Sequence, residues 1–427
     1  MSFTKYDTYK PSEIDLLTEI PKGWNVDRLK ALGDIRYGLG QPPKQIENGL
    51  PIIRATNVSC GKITTKDMLF VDPKDLPYDR KPILKTNEII VVRSGAYTGD
   101  SAIIPKEYAG SVTGYDMVFT PKYINPKFIA FSILSNYIFK DQLVIASLRA
   151  AQPHLNKEEL GNTLVSIPPF SEQAAIATYL DIKTYAIDRK VALLEQKITH
   201  YQQLRKSLIN DTICRGLGKN IKLKDSGIEW IGKIPEHWEV KRFKSFAQTI
   251  KGKNLDFSDL YFEKSLPNLS LEYLRNDEVV FQTYCYSSSK SLLVNEDDYV
   301  IVWDGAGVGE ILNGKKGYLS STIAKIVVNG KLMTPKYFFH LRDKIEYTLK
   351  QIPAGMGIPH LNPFVLNNFP CPFPPLTEQT AIAVYLDEKT KKIDSIVNNI
   401  KSQIETLKEL RKTLINDVVT GKIKVIQ

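Results

Sequence analysis

The sequence is poor in the residues that bind metal ions or cross-link a secreted fold. Its 427 residues include four cysteines and five histidines. No two cysteines have the C-x-x-C spacing of zinc sites, and we expect His154 and His360 to be hydrogen-bonding turn residues. The sequence therefore predicts no metal site, and reduced thiols in the cytoplasm.

Long apolar segments are also missing. No run of about 18 apolar residues occurs, so we expect no membrane span. The first ten residues, MSFTKYDTYK, are polar and lack the apolar core of a signal peptide. These absences again favour a cytoplasmic location.

Motifs of catalysis and cofactor binding are absent. The chain lacks the Asn/Asp-Pro-Pro-aromatic tetrapeptide of amino-methylating DNA enzymes, a P-loop, and a recognisable P-D…(D/E)-x-K nuclease pattern. Gly305-x-Gly307-x-Gly309 follows a predicted strand, but a nucleotide-binding fingerprint requires a helix that opens from the glycines. The residues that follow are typical of a turn, and Tyr97 stands at the place of Gly307 in the first half. We expect no catalytic residue and no cofactor.

What the sequence does contain is a repeat of most of its length. Ile-Pro-x-x-Trp occurs at Ile20 and at Ile234, and Pro-His-Leu-Asn occurs at 153–156 and 359–362. The stretch from Ser171 to Gly216 recurs from Thr377 to Gly421. Such a repeat predicts two copies of one structural unit.

The repeated stretch has the period of a coiled coil. Its apolar residues recur at alternating steps of four and three, with a shared break at Arg205 and Arg411. Ser171 and Thr377 follow Pro-Pro pairs and are the predicted N-caps, while Gly216 and Gly421 are the predicted ends. At about 1.5 Å per residue, each helix is roughly 65 Å long. We expect the two helices to pair along a seam of Ile187, Val191, Leu194, Ile198, Tyr201, Leu208 and Thr212 with Ile393, Val397, Ile400, Ile404, Leu407, Leu414 and Val418.

We call the Ile-Pro-x-x-Trp motif of each half the opener motif. The segments between the opener motif and the long helix predict strands and turns in both halves. A buried strand is expected at 86–92 and at 297–303, each followed by a glycine-rich turn. Helical stretches are expected near 126–148 and 335–350. The predicted domains are 1–170, a helix over 171–216, a Gly- and Lys-rich linker over 217–233, a second domain over 234–376, and a final helix over 377–427.

The charge is concentrated outside the helices. The chain carries a net charge of +10 and has a pI near 9.1. The two repeated helices are nearly neutral, so the excess lies mostly in the two preceding blocks. A basic surface favours a polyanionic partner, although a charge that serves only solubility explains this observation equally well.

These motifs together resemble the specificity subunit of type I restriction-modification systems. The resemblance is carried by Ile-Pro-x-x-Trp, by Pro-Pro-(Phe/Leu)-(Ser/Thr)-Glu-Gln at Pro168 and Pro374, and by the Leu-x-x-x-Leu-Ile-Asn-Asp tails that end at Asp211 and Asp417. It implies an α+β chain in which two α/β target-recognition domains are joined by two long antiparallel coiled-coil helices, with an internal pseudo-two-fold repeat. The first half departs from the family at Ala150-Ala151-Gln152, where the second half has the more family-like Gly355-Met356-Gly357-Ile358.

The resemblance implies a non-catalytic subunit that binds double-stranded DNA, docks two methylation subunits and is joined by restriction subunits. Two different heads on one rod suit a bipartite, asymmetric target with half-sites about one helical turn, roughly 34 Å, apart. Two alternatives stay open: a self-contained DNA methyltransferase or nuclease with an unrecognised site, and a coiled-coil scaffold that binds no nucleic acid. Candidate DNA contacts are polar, basic or aromatic residues in predicted loops: Arg54, Asn57, Arg93, Tyr97 and Thr98 in the first half, and Lys290, Trp303, Lys315 and Lys316 in the second.

Overall fold

Two long helices run through both halves of the structure. The central helix, Phe170–Arg215, has 46 residues and the C-terminal helix, Leu376–Val419, has 44. The computed structural model describes residues 4–148, 153–218, 220–276, 282–286, 290–351, 357 and 359–425. The departure at Ala150-Ala151-Gln152, and Gly355, Met356 and Ile358 of its counterpart, lie outside these described residues.

The chain divides into two compact units, and each takes part of both long helices. Unit 1 comprises Met1–Gln196 and Ile400–Gln427, and unit 2 comprises Lys197–Asn399. We call the globular part of unit 1 head 1 (residues 4–169) and that of unit 2 head 2 (residues 220–375). Each unit is a head packed on two helix segments.

The helices pair antiparallel within each unit. In unit 1, Ile176 and Leu180 near the start of the central helix share a core with Leu414 and Val418 near the end of the C-terminal helix. In unit 2 the roles are reversed, and Ile209 and Ile213 share a core with Ile382 and Leu386. The start of one helix thus meets the end of the other, which confirms the antiparallel arrangement.

The helix boundaries correct one part of the sequence analysis. The helices begin at Phe170 and Leu376, before the expected N-caps Ser171 and Thr377, so both N-cap predictions are wrong. The amide of Gln173 donates to the carbonyl of Pro169 (3.0 Å), and the amide of Gln379 donates to that of Pro375 (2.9 Å). A proline suits the position before a helix because it has no N–H to leave unpaired there.

Glycines follow both helices where the chain turns back. Gly216 (φ +71°) comes directly after the central helix, and Gly421 (φ +75°) comes two residues after the C-terminal one. A Cβ on Gly421 would lie 2.4 Å from Pro21, and one on Gly216 would lie 3.1 Å from the Trp238 ring. The backbone conformation and the close approach of the opener motif both require glycine.

The predicted seam positions are buried or half-buried in both helices, although Ile209 and Ile213, outside the seam, are more buried than Leu208. In the C-terminal helix, Ile393, Val397, Ile400, Ile404 and Leu414 are all buried. The seam of the central helix is half-buried apart from Thr212, which is buried. By contrast, the side chain of Leu193, next to a seam position, is 57% exposed.

The same four-stranded antiparallel sheet forms the frame of each head. Its spatial order in head 1 is Ser101–Ile103, Ile89–Val91, Met117–Pro121 and Gly33–Tyr37. The order in head 2 is Ile311–Asn313, Tyr299–Val302, Ile323–Val328 and Ala247–Lys251. Each head adds one antiparallel pair next to the long helices, formed by Asn25–Arg28 with Leu164–Ile167 and by Glu239–Arg242 with Pro370–Phe373.

The heads differ in a second sheet. Among the described residues, head 1 has three strands there, in the order Val112–Thr113, Gln45–Ile53 and Leu69–Val71. The described part of head 2 has five, in the order Phe257–Ser258, Tyr284–Cys285, Leu266–Leu269, Gly317–Leu319 and Leu293–Val294. The remaining strands form two-stranded pairs: Tyr9–Ile14 with Leu17–Pro21, Leu223–Asp225 with Lys233–Pro235, and Val58–Ser59 with Lys62–Ile63.

The helix expected near 126–148 is interrupted in head 1 and its counterpart in head 2 is continuous. Ser135, whose hydroxyl donates to the carbonyl of Ser132, lies at the break. The short helices of head 1 are Leu29–Leu32, Pro126–Ile133, Asn136–Ile138, a π-helical turn Phe139–Val144, Ile145–Ser147 and Lys157–Asn162. Those of head 2 are Leu271–Arg275, Pro335–Gln351 and Pro363–Asn367. The 3-10 turns are Ala55–Asn57, Pro73–Asp75, Tyr78–Arg80, Lys106–Tyr108, Phe243–Ser245 and Lys290–Leu292.

Among the described residues, no single helix is long and apolar enough to cross a membrane. The bent pair Pro126–Ile133 and Asn136–Ser147 reaches that length and composition only in combination, and most of its apolar side chains lie in the core of head 1.

Candidate nucleic-acid interface

The opener motif of each half binds the start of the following long helix. The indole N–H of Trp24 donates to Glu172 (3.2 Å), and that of Trp238 donates to Glu378 (3.0 Å). Both indoles are almost fully buried. The tryptophan and the glutamate of the two repeated motifs are therefore partners.

The glutamine of the Pro-Pro-x-x-Glu-Gln motif ties the head to the same helix start. The Gln173 side chain accepts from the amide of Asn125 (2.8 Å) and donates to the carbonyl of Pro168 (2.9 Å). Gln379 does the same with Thr334 (2.8 Å) and Pro374 (2.9 Å). Each head is thus held on its helix by matched polar contacts.

The glycine-rich turn is the tip of a hairpin in both heads. In head 2 the strand Ile311–Asn313 follows the turn, and it pairs antiparallel with Tyr299–Val302. Since a strand rather than a helix follows Gly309, the turn lacks the helix N-terminus that a nucleotide fingerprint uses.

The Pro-His-Leu-Asn segment braces that hairpin. In head 1, Gly95 donates to the carbonyl of Pro153 (3.2 Å), and Leu155 donates to the carbonyl of Arg93 (2.7 Å). The matching bonds in head 2 are Gly305 to Pro359 (2.9 Å) and Leu361 to Trp303 (2.8 Å). The asparagine of each motif is the N-cap of the next short helix, and the leucine is buried in the core.

Two candidates in head 1 are committed to internal contacts. Asn57 is fully buried, and its side chain accepts from the amide of Arg54 and donates to the carbonyls of Thr64 and Lys66. The hydroxyl of buried Thr98 donates to the carbonyl of Gly95 (2.7 Å) within the turn. Neither side chain has a free polar edge at the surface, so we correct the expectation that these two residues contact DNA.

The other candidates in head 1 reach the surface. Tyr97 is 54% exposed at the tip of the hairpin. Arg54 is half-buried, and its guanidinium donates to the carbonyl of Asp67 (2.7 Å). Arg93, also half-buried, lies at the base of the hairpin beside His154.

The candidates in head 2 are similarly divided. Lys290 and Lys316 are exposed, and Trp303 is half-buried beside Lys251. Lys315 is fixed by the carbonyls of Tyr273 and Asn276, each 2.7 Å from its Nζ. Lys315, which is half-buried, thus stabilises that turn, and Lys290, Trp303, Lys315 and Lys316 all remain candidates.

The aromatic surroundings of Arg93 were not predicted from the sequence. Its guanidinium carbon lies 4.6 Å from the centroid of the Tyr37 ring and 4.3 Å from that of the Tyr115 ring. The tyrosines are 41% and 45% exposed. The only signal for Tyr37 was its position at the end of a repeated strand, where head 2 has Lys251.

An aromatic cluster on the second sheet of head 2 was not predicted from the sequence either. Phe262 stacks on Tyr286 with 4.4 Å between the ring centroids, and Tyr261 packs edge-on against Tyr284 at 5.4 Å. Tyr261 and Tyr286 are largely exposed. Exposed rings suit contact with bases, whose faces and thymine methyl groups are apolar.

One carboxyl group lies at the base of each hairpin: Asp116, which is buried, in head 1 and Asp304, which is half-buried, in head 2. Burial raises the pKa of Asp116 to about 6, against the opposing effects of the Arg93 and Ala55 amides and of the Arg93 charge. Burial also acts on Asp304, but hydrogen bonds from His360 and Lys251 more than offset it and hold the pKa of that carboxyl below its usual range. Asp116 is thus the more easily protonated of the two.

The described residues contain no group of three or more His, Cys, Asp or Glu side chains that could hold a metal ion. The four cysteines form no disulfide; Cys60 is exposed, and Cys214, Cys285 and Cys371 are buried. Burial raises the pKa of Cys214 to about 11, which keeps that thiol protonated.

Comparisons with known proteins agree with the repeat. A family model described as the type I restriction modification DNA specificity domain matches residues 21–200 and 235–406. The type I restriction enzyme MjaVIII specificity subunit of Methanocaldococcus jannaschii is 37% identical over 189 residues, which are 44% of this chain and 43% of that protein. The putative MjaX specificity subunit of the same organism is 24% identical over 100% of this chain and 99% of its own length.

Two solved structures share the fold. One, from work on assembly and conformational transition of the type I R-M system, has a TM-score of 0.73 at 16% identity and covers 95% of this chain and 99% of its own. The HsdS subunit from Thermoanaerobacter tengcongensis has a TM-score of 0.52 at 18% identity, with 95% and 98% covered. At these identities the likeness concerns the fold alone.

Proposed function

The chain belongs to the DNA specificity family of type I restriction-modification systems, whose family model matches both halves, and from this premise we propose how it selects a target. Each head reads one half of a bipartite DNA sequence, and the paired helices set the gap between the halves. The chain itself catalyses nothing; it directs the methylation and restriction subunits that assemble on it.

The observation that carries this proposal is the division of each head into a shared and an unshared part. The four-stranded frame, the hairpin and its brace recur in both heads, whereas the second sheet has three strands in head 1 and five in head 2. Two similar frames that present different surfaces suit two different half-sites, so the target is asymmetric.

Head exchange tests this division of labour. Residues 31–150 are replaced by the corresponding block of another family member, and the modified chain is expressed with its methylation subunits. We expect one half of the methylated motif, read by sequencing, to change while the other half and the gap stay the same, since contacts at separate sites contribute nearly independently. A change in both halves would contradict independent heads.

The two alternatives predict other results. A self-contained methyltransferase would transfer methyl groups from S-adenosylmethionine to DNA as the purified chain alone, and we expect no such transfer. A scaffold without nucleic acid would leave the chain and its methylation subunits unable to bind any duplex at low salt. The net charge of +10 favours binding.

The repeat also supports docking of two methylation subunits, one for each copy. Leu204 and Leu410 occupy equivalent positions in the two long helices and are 52% and 51% exposed. Matched apolar residues on otherwise polar helix surfaces suit two copies of one partner. Leu204→Glu or Leu410→Glu is expected to reduce the bound methylation subunits from two to one, measured by native mass spectrometry, and retention of both copies in each variant would reject these sites.

A further inference from the structure

The two heads carry one cation–aromatic pair at the same place, with the two side chains exchanged. Tyr37 lies opposite Met117, which pairs in turn with Val91. Lys251 lies opposite Ala324, which pairs with Ile301. The strand register therefore makes Tyr37 and Lys251 equivalent.

The hairpin register makes Arg93 equivalent to Trp303. In head 1 the amide of Gly99 donates to the carbonyl of Val92, the residue before Arg93. In head 2 the amide of Gly309 donates to the carbonyl of Val302, the residue before Trp303.

The contacts within the pair are preserved through this exchange. In head 1 the cation is Arg93, and its guanidinium carbon lies 4.6 Å from the centre of the Tyr37 ring. In head 2 the cation is Lys251, and its Nζ lies 5.6 Å from the centre of the Trp303 ring. What the two heads share at this place is a cation over a ring at the base of the hairpin, rather than a particular residue.

The histidine of the Pro-His-Leu-Asn segment fixes each pair. Nη2 of Arg93 donates to Nε2 of His154 (3.0 Å). In head 2, His360 and Lys251 both bind Asp304, at 2.6 Å and 3.0 Å from its carboxylate oxygens. Each cation is thus held in one position by a repeated element.

Both cations retain hydrogen-bond donors for a ligand. Arg93 is half-buried, and among the described residues its Nη1 hydrogens have no hydrogen-bond partner. The Lys251 side chain is 44% exposed, and the bond to Asp304 uses one of its three hydrogens. A cation that is held in one position and keeps unpaired N–H donors is well suited to bind an external anion.

The repetition itself indicates which anion this is. The two half-sites differ in their bases, but both present the same phosphodiester backbone. Features that differ between the heads suit base reading, and a feature common to both suits the common chemistry. We propose, resting on the proposed function, that Arg93 and Lys251 are equivalent phosphate contacts of the two heads, and that they provide affinity without sequence information.

Substitutions at the exchanged positions test this proposal. The variants are Arg93→Trp, which removes the cation from head 1, and Tyr37→Lys with Arg93→Trp, which installs the lysine–tryptophan pair of head 2, with Ser94 at the position of Asp304. Arg80→Trp is the matched control, because Arg80 is an exposed arginine of the same head. Each chain is assembled with its methylation subunits, and binding is measured against salt concentration on the cognate duplex and on one whose head 1 half-site is scrambled.

We expect Arg93→Trp to reduce the slope of log affinity against log salt by ~0.9 on both duplexes, because one phosphate contact is lost. A change of ~0.9 in the slope means that, when the salt is lowered from ~1 M to ~0.1 M, the affinity of the variant increases roughly eightfold less than that of the unmodified complex. The double variant should recover the slope, and Arg80→Trp should leave it unchanged. The methylated motif should remain the same in all of them.

Three results would overturn the proposal while leaving the proposed function intact. They are an altered base in the head 1 half-site, an unchanged slope with a lowered melting temperature, and no recovery in the double variant. Lys251→Gln in head 2 is a second test at an exposed residue, and it should lower the slope of log affinity against log salt by the same amount. Failure of the unmodified complex to bind any duplex would instead defeat the proposed function itself.

Discussion

Trp24 and Glu172 illustrate how single residues hold each head on its helix. The Trp24 indole is 1% exposed, and its N–H has the Glu172 carboxylate as partner. The hydroxyl of Tyr6 also donates to Glu172, and burial together with this carboxylate raises the pKa of that tyrosine above its usual range. A buried donor that loses its acceptor destabilises the fold by about 1–3 kcal/mol.

We therefore expect Glu172→Ala to lower the free energy of unfolding by about 1–3 kcal/mol. Urea titration followed by circular dichroism measures this change. A double-mutant cycle with Trp24→Phe is the control, since the phenyl ring needs no acceptor. Strictly additive effects of the two substitutions would show that the bond contributes nothing.

Asp116 gives head 1 a pH dependence. Burial raises the pKa of this carboxyl to about 6 in the folded protein, against 3.8 for a free side chain. The folded state therefore binds the proton more tightly, and stability falls as the pH rises from about 4 through 6. A shift of about two pKa units corresponds to about 2–3 kcal/mol.

Asp116→Asn should remove this dependence while keeping an oxygen that accepts from the Arg93 amide. Relative to the variant, the unmodified chain is expected to lose about 2–3 kcal/mol of unfolding free energy between about pH 4 and pH 7. Urea titrations at a series of pH values measure the difference. Parallel stability curves for the two proteins would mean that Asp116 does not titrate in this range.

At the scale of the helices, the breaks in the apolar seam are sites of reciprocal ion pairs. Arg411 pairs with Asp188 in unit 1, and Arg205 pairs with Asp394 in unit 2, with 3.1 Å between nitrogen and oxygen in both. The pairs differ in exposure, because the side chains are 14% and 24% exposed in unit 1 but 26% and 52% exposed in unit 2. Polar residues in a seam favour one register over its neighbours.

The repeat allows a matched comparison of these two pairs. Asp188→Ala leaves Arg411 partly buried without this counter-charge and also removes the ion pair of Asp188 with Lys62 (2.7 Å), and we expect a loss of about 1–3 kcal/mol of unfolding free energy. Asp394→Ala removes a more exposed partner and should lose less than about 1 kcal/mol. Thermal melts of both variants decide the order. An equal or larger effect at Asp394 would mean that burial does not govern these pairs.

At the scale of the whole molecule, the paired helices are the proposed ruler between two half-sites. The boundary between the compact units falls after Gln196 in the central helix and after Asn399 in the C-terminal helix. One heptad inserted at each of these points keeps the seam in phase. It adds about 10 Å of helix, which is close to three base pairs.

Such a double insertion is expected to lengthen the gap of the methylated motif by about three base pairs and to leave both half-sites unchanged. Sequencing of methylated DNA reads gap and half-sites together. Insertion in one helix only is the control, because it puts the seams out of register and should abolish methylation. A double insertion that altered base identity at a constant gap would refute the ruler.

The sequence alone determined the plan of this protein. The repeat, the seam and the helix-ending glycines are patterns of local chemistry, and each depends on spacing along the chain. For this reason the two long helices, their pairing and the two similar heads could be predicted, and so could the family. The predicted strands at 86–92 and 297–303 correspond to Ile89–Val91 and Tyr299–Val302 for the same reason.

Only the tertiary structure decided which side chains are available at the surface. Asn57 and Thr98 are polar residues in predicted loops, yet the fold buries both and pairs their side chains with backbone carbonyls. The Arg93 guanidinium lies over the rings of Tyr37 and Tyr115, which are far from it along the chain and contact it only in the folded head. The energy of a buried or stacked polar group depends on partners that sequence spacing does not specify, and the candidate interface is built from such groups.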